Sequence, residues 1–272
     1  MNSAIGLQSM LFVPGSKPDR FAKALASAAD CVCIDLEDSV PADGKAEAGA
    51  AAIAALGDPR LAIRINGMRT AQGLRDLLAL ADVPTRPALI FVPMVEAAAE
   101  VTIVRSVIGD IGIVPLIETV RGLRAAHEIA AEPGVVMMMF GGGDFSAELG
   151  VDLAWEPLLT ARGNFVMACA GADIPAMDVP FIGLNDVQGL AQECARSKSL
   201  GFAAKAAIHP AQIETIHEVF RPSAADVEEA SAALAAFASA NGAAVRFNGK
   251  MLEAPMMRRY QAILALKDRS DA

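Results

Sequence analysis

The chain has 272 residues, 54% hydrophobic and 20% charged, a balance that excludes an intrinsically disordered protein. Asp and Glu outnumber Lys and Arg 32 to 23, and the net charge of −9 argues against nucleic-acid binding through a broad positive field. An anionic small substrate stays compatible, because one arginine or one metal ion reverses the sign locally.

Short apolar runs alternate with Ala-rich stretches of helical period as far as residue 220. The runs cover 11–13, 31–36, 61–65, 88–93, 111–117, 135–140, 174–179 and 203–208. They read as eight strands, apolar enough to be covered on both faces, as parallel strands are. Helices are predicted over 18–27, 45–56, 71–81, 97–108, 121–131, 156–172, 186–200 and 210–220. Eight strand–helix units predict the α/β class and a (β/α)8 TIM barrel over residues 1–221. The competing fold is a doubly wound open sheet, which usually has fewer strands and a GxGxxG loop that this chain lacks.

Residues 222–272 exceed what a barrel needs. Ser223 reads as the N-cap of a helix over 224–240, Asn241-Gly242 as a turn, 243–248 as a short strand and 255–267 as a last helix. This C-terminal helical extension is expected to be a lid, an oligomerisation arm, or both. No run reaches the ~20 apolar residues of a membrane span, and the N-terminus lacks a signal-peptide pattern. Cys31, Cys33, Cys169 and Cys194 form no CxxC, and His127, His209 and His217 are scattered, so no zinc-site spacing exists. The cysteines are expected to be reduced core residues of a cytoplasmic protein, with Cys31 and Cys33 on opposite faces of a strand.

Barrels of this kind work at the C-terminal ends of their strands. Asp35, Glu37 and Asp38 follow the second run, and Arg64 and Asn66 the third. Glu118 follows the fifth, Gly141-Gly142-Gly143-Asp144 the sixth, and Lys205 and His209 end the eighth. Charge at the ends of buried strands needs partners or a metal, so acids and one arginine are expected to share a rim.

Glu118 and Asp144, on adjacent strands, suit Mg²⁺ with open water positions. The alternative makes them salt-bridge partners of rim arginines. The triple glycine lets the backbone approach a ligand, or simply turns the chain. Arg64 offers a planar fork to a carboxylate, or pairs with Asp35 or Glu37. Asp35 and Glu37 fall on one face, either behind metal-bound waters or capping the next helix. The turn Pro14-Gly15-Ser16-Lys17-Pro18, with Arg20 just beyond, either presents N–H groups and cations to an anion or is an ordinary capped turn. His209 and the methionines at 137–139 read as structural.

Taken together, LFVPGSKPDRFAKAL, CIDLEDSV with Lys45 following, IRIN, VPMVE, PLIET-x-RGL, FGGGD, KAAIHPAQI and GKMLEAPMMRRYQAIL fall in order over almost the whole chain. The set resembles the citrate lyase β-subunit-like branch of the HpcH/HpaI aldolase family. The resemblance implies a (β/α)8 barrel, Mg²⁺, and reversible carbon–carbon cleavage of 3-hydroxyacyl thioesters such as malyl-CoA or citramalyl-CoA. It also implies that Glu118 and Asp144 bind the metal; from their place at the rim, Glu118, Asp35 and Glu37 are expected beside the substrate. Arg64 matches the arginine that binds the oxo-acid carboxylate. Ser16, Lys17 and Arg20 match the loop that touches coenzyme A, and the C-terminal extension matches an arm closing over a neighbouring subunit's site in a homo-oligomer, often a trimer. Within the same resemblance lie a citrate lyase β subunit acting on a carrier-bound citryl thioester, a 4-hydroxy-2-oxo acid aldolase and a non-catalytic barrel subunit. Three positions depart from the family pattern. Met94 stands where relatives carry a lysine, Gly143 where they often carry an acid, and Glu253 where they usually carry an aspartate proposed for acid–base work.

Overall fold

The computed structural model describes residues 6–270 and divides after His217 into two compact units. In the first, eight parallel strands close a barrel in sequence order, the last pairing with the first. They are β1 (Ser9–Pro14), β2 (Cys31–Asp35), β3 (Leu61–Arg64), β4 (Leu89–Val92), β5 (Gly112–Ile117), β6 (Met138–Phe140), β7 (Ala176–Asp178) and β8 (Ala204–Ala207). All eight predicted strands are present, and the fold is the expected (β/α)8 barrel.

The helices follow the same alternation: α1 (Phe21–Leu25), α2 (Lys45–Ala54), α3 (Ala71–Ala81), α4 (Ala98–Ile108), α5 (Val120–Ala130), α6 (Gly142–Leu149), α7 (Trp155–Gly171), α8 (Val187–Leu200) and α9 (Gln212–Phe220). Three of their starts are chemically marked. The side chains of Thr70, Thr119 and Asp186 each accept the N–H of a glycine three residues on. Two of those glycines also permit close approach, because a Cβ on Gly73 would lie 2.3 Å from the Gly67 carbonyl oxygen and one on Gly122 2.5 Å from that of Val95. The α6 helix is absent from the sequence-based expectation, where Gly141–Asp144 reads as a turn. Its two leading glycines have poor helix propensity, and the segment is held instead by Phe145, buried 5.5 Å from the Phe140 ring.

Alternation along the strands sorts side chains into two cores. Met10, Cys31, Cys33, Ala62, Phe91, Leu116, Met139, Met177, Ala204 and Ala206 fill the barrel's interior. Cys31 and Cys33 thus share a face, correcting their expected opposition, because residues two apart on a strand point the same way. All four cysteines are free and buried. Val32, Ile34, Ile63, Ile90, Val92 and Phe140, of the opposite parity, are buried outside the interior cluster, and burial on both faces explains why the strands are apolar throughout.

Two outward-facing positions are charged. Asp178 and Lys205, each 0% exposed, are register partners on β7 and β8. Asp178 accepts hydrogen bonds from Arg162 Nε (3.0 Å), Lys205 Nζ (3.0 Å) and the Ser197 hydroxyl. Lys205 also donates to Glu193 and to the Val179 carbonyl, both at 2.8 Å. Burial disfavours both charges, yet Lys205 and Arg162 outweigh it and hold Asp178 below the usual carboxylate range. Burial likewise opposes the Lys205 charge, but Asp178 and Glu193 keep its pKa raised. Lys205 was expected at the rim; it lies against the helices instead.

The second unit holds α10 (Ala224–Ser239), β9 (Val245–Phe247), β10 (Lys250–Leu252) and α11 (Ala254–Ser270) around a core of Ala230, Ala233, Leu252, Met257 and Tyr260. Ser223 and Asp226 form a reciprocal capping box on α10. β10 is an addition to the sequence-based elements. It forms because Asn248 and Gly249, with φ of 45° and 75°, turn the chain into a two-residue hairpin.

Lys205→Ala would leave Asp178 and Glu193 without their shared cation. It is expected to cost about 3–5 kcal/mol, read as a lowered urea midpoint at unchanged slope. An unshifted midpoint would show that Arg162 alone neutralises the cluster.

Candidate active site

The interior columns of the barrel end in polar groups. Two residues beyond Cys33 comes Asp35, beyond Ala62 comes Arg64, beyond Leu116 comes Glu118, and beyond Met139 comes Gly141. These line a cavity of about 290 Å³ with Asp38, Asp144 and the apolar wall of Phe12, Val179, Pro180 and Ile208. Every one of these residues lies in the first unit.

Arg64 is the cation of this cavity. It is 8% exposed, and its register partner across β2–β3 is Asp35. Nε bonds Asp35 Oδ1 at 2.7 Å, Nη1 lies 2.8 Å from Glu37 Oε2, and Nη2 lies 3.2 Å from Asp38 Oδ2. The guanidinium also stacks 4.9 Å above the centre of the Phe12 ring. Burial opposes the ionised form of Asp35, but Arg64, the Glu37 N–H and the Ser39 side chain hold its pKa down. Asp35 therefore both pairs with Arg64 and caps the turn that follows β2. For Arg64, the substrate fork and the ion pair coexist. A guanidinium has five N–H groups, so these contacts leave each Nη with a hydrogen directed elsewhere.

Glu118 is 4% exposed and accepts the Met94 N–H at 2.6 Å through Oε2. Burial, with the nearby charges of Asp144 and Asp38, pushes its pKa up to about 7. Burial also pushes Glu37 to about 8 and, with the Asp38 charge, raises Asp144. Asp144 itself sits in the first turn of α6. A Cβ on Gly141 would lie 2.1 Å from Glu118 Cγ, so only glycine leaves room for this carboxylate. Five acids thus share one arginine that three of them already engage. The excess of hard oxygen donors fits a divalent cation such as Mg²⁺. Among the described residues no three His, Cys, Asp or Glu side chains converge in a closed cage. Two carboxylates and water suffice for Mg²⁺, which seldom takes a full protein cage.

The remaining sequence candidates lie elsewhere. Ser16, Lys17 and Arg20 are exposed in the turn after β1, where the Ser16 hydroxyl bonds the Ser39 carbonyl at 2.8 Å. Glu253 is exposed in the second unit between β10 and α11, its carbonyl accepting the Met256 N–H. His209 is exposed and its Nδ1 accepts the Ala211 N–H.

A brace behind the acidic turn has no simple sequence signal. Lys45 Nζ donates to the carbonyls of Leu36 and Glu37 and to Asn66 Oδ1, at 2.6 to 2.9 Å. Asn66 also donates to the Leu36 carbonyl and to Asp76. Only the spacing of Lys45 from the acids and the polar Asn66 at the end of an apolar strand hint at it.

A closed (β/α)8 barrel with surplus carboxylates at the C-terminal mouth defines a divalent-metal-dependent barrel enzyme. Comparison with known sequences makes this specific: the chain belongs to the HpcH/HpaI aldolase/citrate lyase family, whose sequence profile matches residues 8–210. A second profile, a C–C bond lyase of the TIM-barrel fold, matches residues 165–266. The chain is 35% identical to a (3S)-malyl-CoA thioesterase of Cereibacter sphaeroides, over 90% of this chain and 89% of that one. It is 33% identical to an L-malyl-CoA/beta-methylmalyl-CoA lyase of the same organism, over 93% and 92%. Among solved structures it resembles CitE of Mycobacterium tuberculosis in complex with magnesium, acetoacetate and coenzyme A, with TM-score 0.84, 34% identity, and coverage of 96% and 98%.

Lys45→Met would strand two carbonyls and the Asn66 amide. It is expected to cost about 1–3 kcal/mol in urea unfolding. An unchanged midpoint would show that Asn66 and the Asp35 cap hold the turn unaided.

Proposed function

We propose that this protein is a Mg²⁺-dependent carbon–carbon lyase. It cleaves or forms a 3-hydroxyacyl-CoA such as malyl-CoA or citramalyl-CoA, interconverting it with a 2-oxo acid and an acyl-CoA. The observation that carries this is the excess of carboxylates around Arg64, with Asp35 and Glu118 buried and Asp38 and Asp144 open to the mouth, which suits a metal and an oxo-acid carboxylate together. Glu118 and Asp144 would hold Mg²⁺, which when bound acts as a Lewis acid toward the substrate's oxygens.

Arg64, immobilised by Asp35, Glu37 and Asp38, presents its remaining Nη hydrogens to the substrate carboxylate and offsets charge on the carbinol oxygen. Asp35 and Glu37 flank the same substrate position. In the cleavage direction a base takes the hydroxyl proton, the carbon–carbon electron pair moves to the thioester α-carbon, and an oxo acid departs. The resulting enolate takes a proton, and Glu253 is the group we assign to deliver it, from the arm of a neighbouring subunit in a homo-oligomer, a trimer by family analogy. Ser16, Lys17 and Arg20 contact coenzyme A at the mouth of the barrel. Four buried free cysteines, and no described helix long and apolar enough to cross a membrane, support a cytoplasmic location.

The test is a panel of malyl-CoA, citramalyl-CoA, citryl-CoA and a free 4-hydroxy-2-oxo acid with Mg²⁺, following oxo acid by a coupled dehydrogenase and free thiol by a chromogenic reagent. Oxo acid without thiol from a CoA ester is expected. Thiol without oxo acid would make the protein a thioesterase, like its Cereibacter relative. Cleavage of the free acid alone would make it an aldolase. Silence with folded protein would leave the carrier-dependent citrate lyase subunit or a non-catalytic barrel.

Metal affinity carries a pH signature. With its pKa near 7, Glu118 is protonated in acid, and Mg²⁺ must displace that proton. The apparent Mg²⁺ affinity is therefore expected to fall about tenfold per pH unit below pH 7 and to level off above it. Calorimetric titrations between pH 5.5 and 8 measure this; a flat profile would show that Mg²⁺ displaces no proton from Glu118 in this range.

A further inference from the structure

Met94, the departure from the family's lysine, has an unusual backbone. Its φ is 55°, in the left-handed region that a long L side chain rarely adopts. Its peptide groups are engaged on both sides. The N–H donates to Glu118 Oε2 at 2.6 Å, and the carbonyl accepts Arg69 Nη2 at 2.6 Å. Arg69 comes from the loop between β3 and α3, and its Nη1 bonds Glu96 Oε2. The other oxygen of Glu96 accepts the hydroxyl of Thr119, the neighbour of Glu118, at 2.9 Å. The Val95 N–H closes the lattice on the Leu116 carbonyl at 3.2 Å. The segment between β4 and α4 is therefore fastened to the end of β5 at three points, and one side chain from the β3 loop clamps it from outside.

We infer that Arg69 is a positioning residue for the Glu118 carboxylate, acting through the Met94 peptide. The inference rests on Glu118 being a metal ligand. Arg69 touches neither the cavity nor Glu118. Its planar fork reaches the Met94 carbonyl and Glu96 at once, which a lysine's single ammonium cannot reproduce in the same geometry. Held from its carbonyl side, residue 94 keeps the left-handed conformation that aims its N–H at Glu118. Released, it relaxes toward negative φ, and the carboxylate loses both its donor and its fixed orientation. The Met94 side chain is not required by this device; only its backbone is.

The experiment is calorimetric titration of Mg²⁺ into the substrate-free protein, with thermal melts alongside. Arg69→Ala is expected to weaken Mg²⁺ binding about tenfold or more, the scale on which groups behind a metal ligand act. Arg69→Lys is expected to recover only part of that loss. Met94→Val, whose branched side chain disfavours positive φ, should bind Mg²⁺ more weakly than the parent. The control is Arg196→Ala. Arg196 is 48% exposed and paired with Glu156, Arg69 is 50% exposed, and removing Arg196 should leave Mg²⁺ binding alone. An Arg69→Ala protein that melts like the parent and binds Mg²⁺ within twofold of it overturns the inference. Glu118→Gln separates the two readings: if it too keeps full Mg²⁺ affinity, the metal assignment itself has failed.

Discussion

One guanidinium organises the mouth of this barrel. Arg64 emerges from an apolar strand with Asp35 beside it in register, and Glu37 and Asp38 close on its other nitrogens. Without a cation at this point, three carboxylates at the end of a buried strand would repel one another. With it they form a connected frame, and Glu118 and Asp144 line the same cavity outside that pairing.

The frame is supported from behind by ordinary hydrogen-bond chemistry. Lys45 and Asn66 satisfy the carbonyls of the acidic turn, Asp76 anchors Asn66, and Asp35 caps the same turn from within. Met94 does for Glu118 what these groups do for Arg64. The charged groups lining the cavity are few, and Asp35 and Glu118 are each oriented by backbone N–H groups. On the far side of the wall, Lys205 holds the Val179 carbonyl, so the buried Arg162–Asp178–Lys205 cluster steadies the apolar flank of the cavity.

The fold was legible because the strands are apolar on both faces and alternate in strict order with longer Ala-rich helical stretches. Much of the site was legible through parity: Asp35, Arg64, Glu118 and Gly141 continue the inward-facing columns of Cys33, Ala62, Leu116 and Met139. Strict use of the same rule places Cys31 with Cys33 and sends Lys205 outward, between Ala204 and Ala206. What could not be read was whatever depends on three dimensions alone. Helix α6 begins on glycines and is held by tertiary packing. Arg69 looks like any surface arginine, since its partners lie 25 and 27 residues away. The positive φ of Met94 leaves no mark in a residue type that seldom adopts it. The second hairpin strand was readable in principle, because Asn248-Gly249 is a strong turn signal between short apolar runs.

The missing side chain of Gly141 has a consequence for how such a sequence changes over time. The position tolerates nothing larger while Glu118 stays in place, because the smallest added atom falls inside the carboxylate's own volume. A side chain there would push Glu118 away from the place where it now meets the Met94 N–H, so the residue at this one position governs where the acid on the neighbouring strand can reach.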